Sequence, residues 1–311
     1  MTCKHPPIVS DKPLLRMKLE LVRGCPYTCG ACNPPKDWLP MPTEKVYAAV
    51  RSFEMARMTQ KDAFPMLHLH GWGEPSLRPD LVDVVARIRD MTPALLVLST
   101  NGAVPERIAP LPVDRLVLGL DSFDPAMHRK TRGWSLDNTL RLLSVVDLSH
   151  VTLTSLVHRE NTADILRISD LFSTSIRHVV RRYDEDLIGG TGNYTGPDVA
   201  DPSFLTKFWK CLEERGYDVS EIGSSDGEAR RGECTVGYDG QVYRCLSHWS
   251  TTSPVDVPVY DALTLGMPTG CTRCFCCKPR LAVRPAAREP KPWVGEPVKK
   301  TYFDTKELER Q

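Results

Sequence analysis

Arg16-Met-Lys-Leu-Glu-Leu-Val22 runs almost directly into Cys25-Pro-Tyr-Thr-Cys29-Gly-Ala-Cys32, and these two stretches decide the fold. The first stretch alternates polar and apolar residues, which is typical of a β-strand with one buried face. The second stretch places three cysteines on a short segment behind that strand. The sequence therefore predicts a strand that carries a cysteine loop at its carboxyl end.

Strands and helices alternate downstream of this loop. Strands that alternate with helices in this way predict right-handed βαβ units and a parallel sheet. Six units fit between residues 14 and 190, too few for a closed eight-stranded barrel. The predicted fold class is α/β, with a partial (βα)6 TIM-like barrel. Further strands are predicted at 66–70, 94–98, 116–120, 151–157 and 177–183, and helices are predicted to begin at Thr43, Asp80, Ser135 and Asn161, with Thr43 and Asp80 as caps.

The predicted organisation has four parts. The partial barrel occupies residues 14–190, a linker with a helix occupies 191–229, and a small cysteine-rich unit occupies 230–280. Residues 281–311 form a C-terminal tail. Because this tail is rich in Pro, Lys and Arg, we expect it to be extended or disordered.

The composition excludes several function classes. The 311 residues contain 40 Lys and Arg against 39 Asp and Glu, a formal net charge of +1. This balance gives no general attraction to nucleic acid or to an anionic membrane. No apolar run approaches the ~20 residues that span a bilayer, and the N-terminal residues lack the apolar core of a signal peptide. We therefore expect a cytoplasmic protein without nucleic-acid or membrane partners.

Nine of the eleven cysteines fall into two groups. In an intracellular protein, such clustering indicates metal or iron–sulfur ligation rather than disulfides. Cys3 and Cys211 stand alone and receive no role. The first group is Cys25, Cys29 and Cys32, and the second is Cys234, Cys245, Cys271, Cys274, Cys276 and Cys277.

The spacing of the first group, Cys-x3-Cys-x2-Cys, suits an iron–sulfur cluster. Three thiolates can bind three irons of a 4Fe–4S cluster and leave the fourth iron without a protein ligand. A zinc site is the alternative, but structural zinc takes four ligands. Behind the first strand of a βα repeat, this spacing resembles the radical S-adenosylmethionine (SAM) superfamily. The resemblance implies that SAM binds the open iron and is cleaved to a 5′-deoxyadenosyl radical.

Three later motifs extend the resemblance. Gly71-Trp72-Gly73-Glu74-Pro75 is similar to the family's glycine-rich turn, which receives the SAM ammonium group. Ser99-Thr100-Asn101-Gly102 is similar to a strand end that contacts the methionyl or ribose groups. Leu120-Asp121-Ser122, with Arg132-Gly133, is similar to the next strand end and its trailing Arg-Gly. Each motif alone would be an ordinary turn or cap. The resemblance implies SAM-binding roles for Gly73, Glu74, Ser99, Asn101, Asp121, Ser122 and Arg132.

One position departs from the family pattern. The residue before the third cysteine is often aromatic and packs against adenine, but here it is Ala31. Tyr27 or Trp72 would have to supply that contact.

The second cysteine group resembles the SPASM/Twitch extensions of radical SAM enzymes. Cys234 and Cys245 flank a predicted hairpin whose turn is Asp239-Gly240. Six cysteines are too few for two further clusters, so the resemblance implies the shorter Twitch form with one auxiliary 4Fe–4S cluster. A structural zinc is the alternative, because Cys-x2-Cys after a hairpin is also a zinc-ribbon pattern. The chosen ligands are Cys234, Cys245, Cys271 and Cys274, with Cys277 as a substitute.

The substrate is predicted from one acidic segment. Asp184-Glu185-Asp186 follows the strand near 177–183, at the predicted mouth of the barrel. Asp184 and Asp186 would bind the ammonium groups of an amino sugar or aminocyclitol through charge-assisted hydrogen bonds. A solvated acidic loop is the alternative.

The cysteine positions favour one reaction. Twitch enzymes of this class include dehydrogenases and epimerases, and an epimerase commonly needs a thiol that returns a hydrogen atom. No predicted strand end outside the first group carries a cysteine. We therefore expect dehydrogenation of a carbinol in antibiotic biosynthesis, with an external electron donor such as flavodoxin or ferredoxin. The alternatives are an epimerase that uses Cys276 or Cys277, a peptide-modifying enzyme, and a non-catalytic iron–sulfur or zinc scaffold.

Overall fold

A computed structural model describes the chain in ten segments. These are residues 12–29, 32, 34–157, 160–172, 176–182, 202–215, 217–222, 232–243, 255–265 and 280–285. No helix in these segments is long and apolar enough to cross a membrane.

Most of the strands belong to a single sheet, and β2 and β3 form a separate small ribbon. The strands are β1 (Leu14–Leu19), β2 (Val22–Arg23), β3 (Leu39–Pro40), β4 (Phe64–Leu69), β5 (Leu95–Thr100), β6 (Arg115–Gly119), β7 (Val151–Val157), β8 (Arg177–Arg182), β9 (Tyr217–Ile222), β10 (Glu233–Val236), β11 (Val242–Tyr243) and β12 (Arg280–Pro285).

Helices occupy the connections between the strands. The α-helices are α1 (Thr43–Thr59), α2 (Leu81–Met91), α3 (Pro105–Ile108), α4 (Pro125–Arg132), α5 (Asp137–Val145), α6 (Thr162–Phe172), α7 (Pro202–Glu214) and α8 (Val259–Thr264). Short 3₁₀ helices cover Pro75–Leu77 and Leu148–His150.

Six strands are parallel neighbours in chain order: β1, β4, β5, β6, β7 and β8. Each connection between them contains at least one helix, as parallel pairing requires. The predicted α/β fold with six βα units is therefore confirmed.

The strands bury alternate residues against the helices. In β1, Leu15, Met17 and Leu19 are fully buried in the core that the sheet shares with the helices. Arg16 and Lys18 lie between them and are partly exposed. The strands β6 and β7 show the same alternation. Because successive side chains point to opposite faces, the sheet has an outer face covered by helices and an inner face that carries the more polar residues.

Strands from the C-terminal part extend this sheet at both edges. β10 pairs in parallel with β1, so that Cys234 lies in register with Met17. At the other edge β12 pairs with β8, and β9 pairs with β12, both antiparallel. Residues 233–236, which the sequence assigns to the cysteine-rich unit, thus belong to the barrel sheet. The predicted division into four parts stays a prediction.

The predicted turn at Asp239-Gly240 is confirmed. β10 and β11 pair antiparallel, and Gly240 has a φ of 80°, a conformation that favours glycine. The Gly237 amide donates to the carbonyl of Gln241 at 2.9 Å and closes the hairpin.

Asp80 occupies the predicted N-cap position of α2, but its side chain makes no capping hydrogen bond, and the predicted cap at Thr43 is wrong because Pro42 holds that position. Arg78 engages both side chains. The Arg78 guanidinium is 2% exposed and donates to Thr43 Oγ1 at 2.6 Å. Its Nε lies 2.9 Å from Asp80 Oδ1. A buried guanidinium requires acceptors, and these side chains supply them instead of capping α1 and α2.

Candidate active site

The cysteine loop follows β2 and is closed at its base. Gly24 has a φ of 93°, and the amide of Cys25 donates to the carbonyl of Pro35 at 3.2 Å. The Lys36 ammonium donates to the carbonyls of Cys25 at 3.3 Å and Tyr27 at 2.7 Å. The loop is therefore fixed at its first turn, with a cation beside it.

The far side of the loop lies against the end of α4. The Cys29 thiol donates to the carbonyl of Arg132 at 3.2 Å, and the Thr28 hydroxyl donates to the carbonyl of Gly133 at 3.3 Å. Gly133 ends the helix with a φ of 68°. Sequence analysis missed α4, although Asp124 followed by Pro125 is a typical helix start and the Asp124 side chain caps the helix.

An aromatic pair covers this contact. Tyr27 is 1% exposed and stacks on Trp134, with ring centroids 5.5 Å apart and an angle of 16° between the planes. One face of the Tyr27 ring is thus already occupied by Trp134, and a contact between Tyr27 and adenine stays a prediction. The same role for Trp72 stays a prediction, and Ala31 lies outside the described residues.

Glu74 joins the glycine-rich turn to the end of β5. Its carboxylate is 2% exposed and accepts hydrogen bonds from the Ser76 amide at 2.9 Å, the Thr100 hydroxyl at 2.5 Å and the Asn101 amide at 2.8 Å. Burial raises the pKa of Glu74 despite these donors. In this structure the carboxylate connects two strand ends, and its contact with the SAM ammonium stays a prediction.

The turn also lies directly against the start of the cysteine loop. A Cβ atom on Gly73 would be 1.8 Å from the carbonyl oxygen of Val22, so only glycine fits. The Glu74 amide donates to the carbonyl of Gly24 at 2.9 Å. Gly73 therefore brings the predicted SAM-contacting backbone next to the cysteines.

Glu20 supports this turn from below, a role that sequence analysis missed. Its carboxylate is 1% exposed and accepts hydrogen bonds from the amides of Trp72 at 2.7 Å, Gly73 at 3.1 Å and Tyr238 at 3.3 Å. Burial raises the pKa of Glu20 to about 7. The sequence did contain an indication of this role: Glu20 lies between two apolar residues, Leu19 and Leu21, and a carboxylate buried there requires hydrogen-bond partners.

The end of β5 contacts the cysteines directly. Asn101 Nδ2 donates to the sulfur of Cys25 at 3.1 Å. Ser99, two residues earlier, lies on the inner face, with its hydroxyl 2.8 Å from His68 Nε2. The structure thus brings Asn101 to the cysteine loop and Ser99 to the neighbouring strand.

Asp121 and Arg132 form a bidentate ion pair. Arg132 Nε lies 2.7 Å from Asp121 Oδ2, and its Nη2 lies 2.8 Å from Oδ1. This pair fixes the end of α4, and hence the contact with Cys29, against the end of β6. Ser122 does not join this group, because its fully buried hydroxyl donates to Asp164 of α6 at 2.7 Å.

Residues 19–172 match the family model of the radical SAM superfamily. This segment includes the cysteine loop, the glycine-rich turn, Asn101 and the Asp121–Arg132 pair. The chain contains a radical SAM domain. The predicted superfamily is therefore confirmed for this domain.

Several curated relatives of this radical SAM domain are named GTP 3′,8-cyclases. One, from Limosilactobacillus fermentum, is 27% identical over 43% of this chain and 42% of its own length. A "Probable GTP 3′,8-cyclase" from Methanococcus aeolicus is 23% identical over 76% of this chain and 86% of its own length. The chain spans less than half the length of the first of these relatives.

Solved structures share the fold at low identity. Streptococcus suis SuiB bound to the precursor peptide SuiA has a TM-score of 0.63 and 13% identity, over 81% of this chain and 65% of that one. The structure of anSMEcpe with bound AdoMet and Cp18Cys peptide has a TM-score of 0.55 and 16% identity, over 75% of this chain and 74% of that one. Both support the fold of the radical SAM domain.

The donor set of the radical SAM domain fits a 4Fe–4S cluster. Burial raises the pKa of the thiols of Cys25 and Cys29, and raises that of Cys32 to about 12. Lys36 and Arg132 oppose this rise for Cys29 and Cys32. Within the described residues, no three His, Cys, Asp or Glu side chains already converge as metal ligands. Three soft thiols on one loop, beside two cations, are suited to three irons that displace the thiol protons.

The remaining predicted site residues are the ligands of the auxiliary cluster and the substrate-binding residues. Cys234 is 4% exposed and packs in the core of the radical SAM domain, where burial raises its pKa to about 12. Its role as an auxiliary ligand stays a prediction. The other predicted ligands and substrate residues lie outside the described residues: Cys245, Cys271, Cys274, Cys277, Asp184 and Asp186.

Proposed function

We propose that this radical SAM enzyme abstracts a hydrogen atom from a small molecule held on the inner face of the sheet. One observation carries the proposal. The Asn101 side chain donates to the sulfur of Cys25, while the Asn101 amide donates to Glu74 of the glycine-rich turn. The cysteine loop, the turn and the end of β5 thus form one connected site at the carboxyl ends of parallel strands, where such folds bind ligands.

The residues of this site have distinct roles in the proposal. A bound 4Fe–4S cluster would supply the electron that cleaves SAM to methionine and the 5′-deoxyadenosyl radical. Cys25, Cys29 and Cys32 would hold three irons. Lys36 and Arg132 would stabilise the deprotonated thiols by their charge. Asn101 would orient Cys25 through its hydrogen bond.

Oxidation of a carbinol is the reaction that we favour. An epimerase must return a hydrogen atom to the substrate, commonly from a thiol. Among the described residues outside the first group, Cys234 is buried in the core and Cys211 lies on α7. Neither lies on the inner face. The amino sugar substrate, bound through Asp184 and Asp186, remains part of this proposal from the sequence alone.

Cyclisation of a nucleotide is the second candidate. Several curated relatives are named GTP 3′,8-cyclases, and the inner face carries basic side chains such as Lys18 on β1. This candidate and the carbinol oxidation share the first hydrogen abstraction and differ in the fate of the substrate radical.

A second cluster and an electron donor complete the proposal. One auxiliary 4Fe–4S cluster would be bound by the cysteines of residues 230–280. An external donor such as flavodoxin or ferredoxin would supply the electron. Their support is the sequence resemblance to Twitch-type enzymes.

Anaerobic reconstitution with iron, sulfide, SAM and dithionite tests the activity. The wild type is expected to form 5′-deoxyadenosine, and Cys29→Ala is expected to form none. Cys211→Ala, a cysteine on α7, is the matched control and should retain the wild-type rate. 5′-Deoxyadenosine formation by Cys29→Ala would refute the assignment. With candidate substrates, a product two hydrogens lighter supports oxidation, whereas consumption of GTP supports the second candidate.

A further inference from the structure

Trp134 presents a partly exposed ring beside the cysteine loop. We propose that this ring stacks on the adenine of SAM and takes the role for which Ala31 has no aromatic side chain. The inference rests on the proposed function, because it requires SAM to bind at the same site.

The stack of Tyr27 and Trp134 has one accessible member. The ring centroids are 5.5 Å apart with 16° between the planes. Tyr27 is 1% exposed, whereas Trp134 is 43% exposed. Because Tyr27 covers one face of the indole, a planar ligand would stack on the other face, in the offset arrangement that aromatic rings prefer. The stack also orders the indole before a ligand arrives, which lowers the entropic cost of binding.

This stack joins the cysteine loop to the end of β5. The Tyr27 hydroxyl donates to the carbonyl of Asn101 at 3.4 Å, and the Thr139 hydroxyl of α5 donates to the same carbonyl at 3.5 Å. Trp134 lies in the connection between α4 and α5. The indole is therefore beside the strand end that is predicted to contact the methionyl or ribose groups of SAM. Adenine is attached to that ribose, so the base would lie close to the same strand end.

The backbone before Trp134 is fixed against the cysteine loop. The Thr28 hydroxyl donates to the carbonyl of Gly133 at 3.3 Å. A Cβ atom on Gly133 would be 2.1 Å from Thr28 Oγ1, so the two segments are in close contact. The ion pair of Arg132 with Asp121 holds the end of α4 on β6. None of these contacts depends on the thiol protons that iron would displace. The indole thus has a defined position relative to the cysteines.

The sequence gives a reason for an aromatic contact from another segment. The residue before the third cysteine is Ala31, whose methyl group cannot stack on a base. An indole offers a larger aromatic surface than a phenyl ring, and stacking on an aromatic side chain adds affinity for a base without reading its hydrogen-bonding groups. Trp134 would therefore contribute to the binding of the adenosine part of SAM and not to that of its methionyl part.

Calorimetry on the reconstituted enzyme without reductant tests the inference, because SAM then binds without being cleaved. The probes are SAM, 5′-methylthioadenosine, which lacks the amino acid, and methionine, which lacks the adenosine. Trp134→Leu should weaken the binding of SAM and of 5′-methylthioadenosine about fivefold or more, and methionine binding should be unchanged. Trp134→Phe, which keeps an aromatic ring, should retain most of the affinity for SAM.

A second tryptophan supplies the matched control. Trp38 is also exposed but precedes β3, so Trp38→Leu should bind SAM as the wild type does. Iron content and thermal unfolding are measured for every variant, and affinities are compared at equal iron content. Unchanged SAM affinity in Trp134→Leu, or equal losses in Trp134→Leu and Trp134→Phe, would overturn the inference. A parallel loss of methionine binding would also overturn it, because the role of Trp134 would then be structural.

The 5′-deoxyadenosine assay with dithionite on the same wild-type preparation separates the two proposals. If the nucleoside forms while Trp134→Leu binds SAM as tightly as the wild type, only the adenine contact fails. If the wild type neither binds SAM nor forms the nucleoside, the proposed function itself fails.

Discussion

At the scale of single residues, Glu20 connects two parts of the site although it belongs to none of the sequence motifs. Its carboxylate holds two amides of the glycine-rich turn and one amide of the β10–β11 hairpin. Burial places its pKa at about 7, above the ordinary value of 4.5. The folded state therefore retains a proton that the unfolded state has already lost between these two pH values.

Glu20 makes stability depend on pH. Because the folded pKa is raised, the stabilisation that Glu20 contributes is complete below pH 4.5 and is lost as pH rises through 7, by about 3 kcal/mol. We expect Glu20→Gln to remove this part of the pH dependence of the free energy of unfolding, measured in urea. Glu44→Gln, on the exposed first turn of α1, should leave it unchanged. Parallel pH profiles for wild type and Glu20→Gln would contradict this account.

Asn101 is expected to tune the redox chemistry of the cysteine loop. Its Nδ2 lies 3.1 Å from Cys25 Sγ, and hydrogen bonds to cluster sulfurs stabilise the reduced state. Asn101→Ala should lower the reduction potential of the reconstituted cluster in a titration followed by electron paramagnetic resonance. Asn138→Ala, which removes a hydrogen bond to Ala103 instead, serves as control. An unchanged potential in Asn101→Ala would show that this hydrogen bond is not retained with iron bound.

At the scale of elements, α4 is as important to the site as the strands. Its last turn positions Arg132, Gly133 and Trp134 against the cysteine loop. The loop thus has one side on β2 and the other on a helix more than 100 residues later, so its shape depends on tertiary packing.

Trp134 provides a direct test of that packing. The ring is 43% exposed and stacks on the buried Tyr27. Loss of an aromatic pair of this kind costs about 1 kcal/mol beyond the lost buried area. Trp134→Ala should lower the free energy of unfolding by at least that amount and should release iron faster to a chelator. Trp38→Ala, at a tryptophan that is 57% exposed, should do neither. Equal chelation rates for the two variants would refute the role of Trp134.

Local patterns predicted the barrel strands well and long-range contacts poorly. The alternation in Arg16–Val22 and the helical spacing of the apolar residues Leu81, Val84, Val85 and Ile88 are local patterns, so β1 and α2 could be recognised from the sequence. The pairing of β10 with β1 leaves no local signature, because it joins residues such as Arg16 and Glu233 that are 217 positions apart. The partners of Arg78 and Glu20 were missed for the same reason. The motif residues Gly73 and Asn101 were identified through the resemblance.

At the scale of the whole molecule, the second cysteine group decides how much metal the protein holds. Reconstituted wild type should contain about eight irons per chain, since each 4Fe–4S cluster carries four. The variant with Cys25, Cys29 and Cys32 all changed to Ala should contain about four. Iron and zinc are measured together by elemental analysis. About four irons with zinc in the wild type would remove the auxiliary cluster and favour the zinc alternative.

The addition of β10 beside β1 has a consequence for how the chain acquires its structure. A ribosome must synthesise more than 200 residues after β1 before the strand that covers its edge exists. The opposite edge, β8, likewise waits for β12. Until then the nascent sheet exposes two rows of unpaired backbone groups, which are templates for aggregation. Such sequence-distant pairing also slows folding. The chain is therefore expected to depend on protection by chaperones until its last strands emerge.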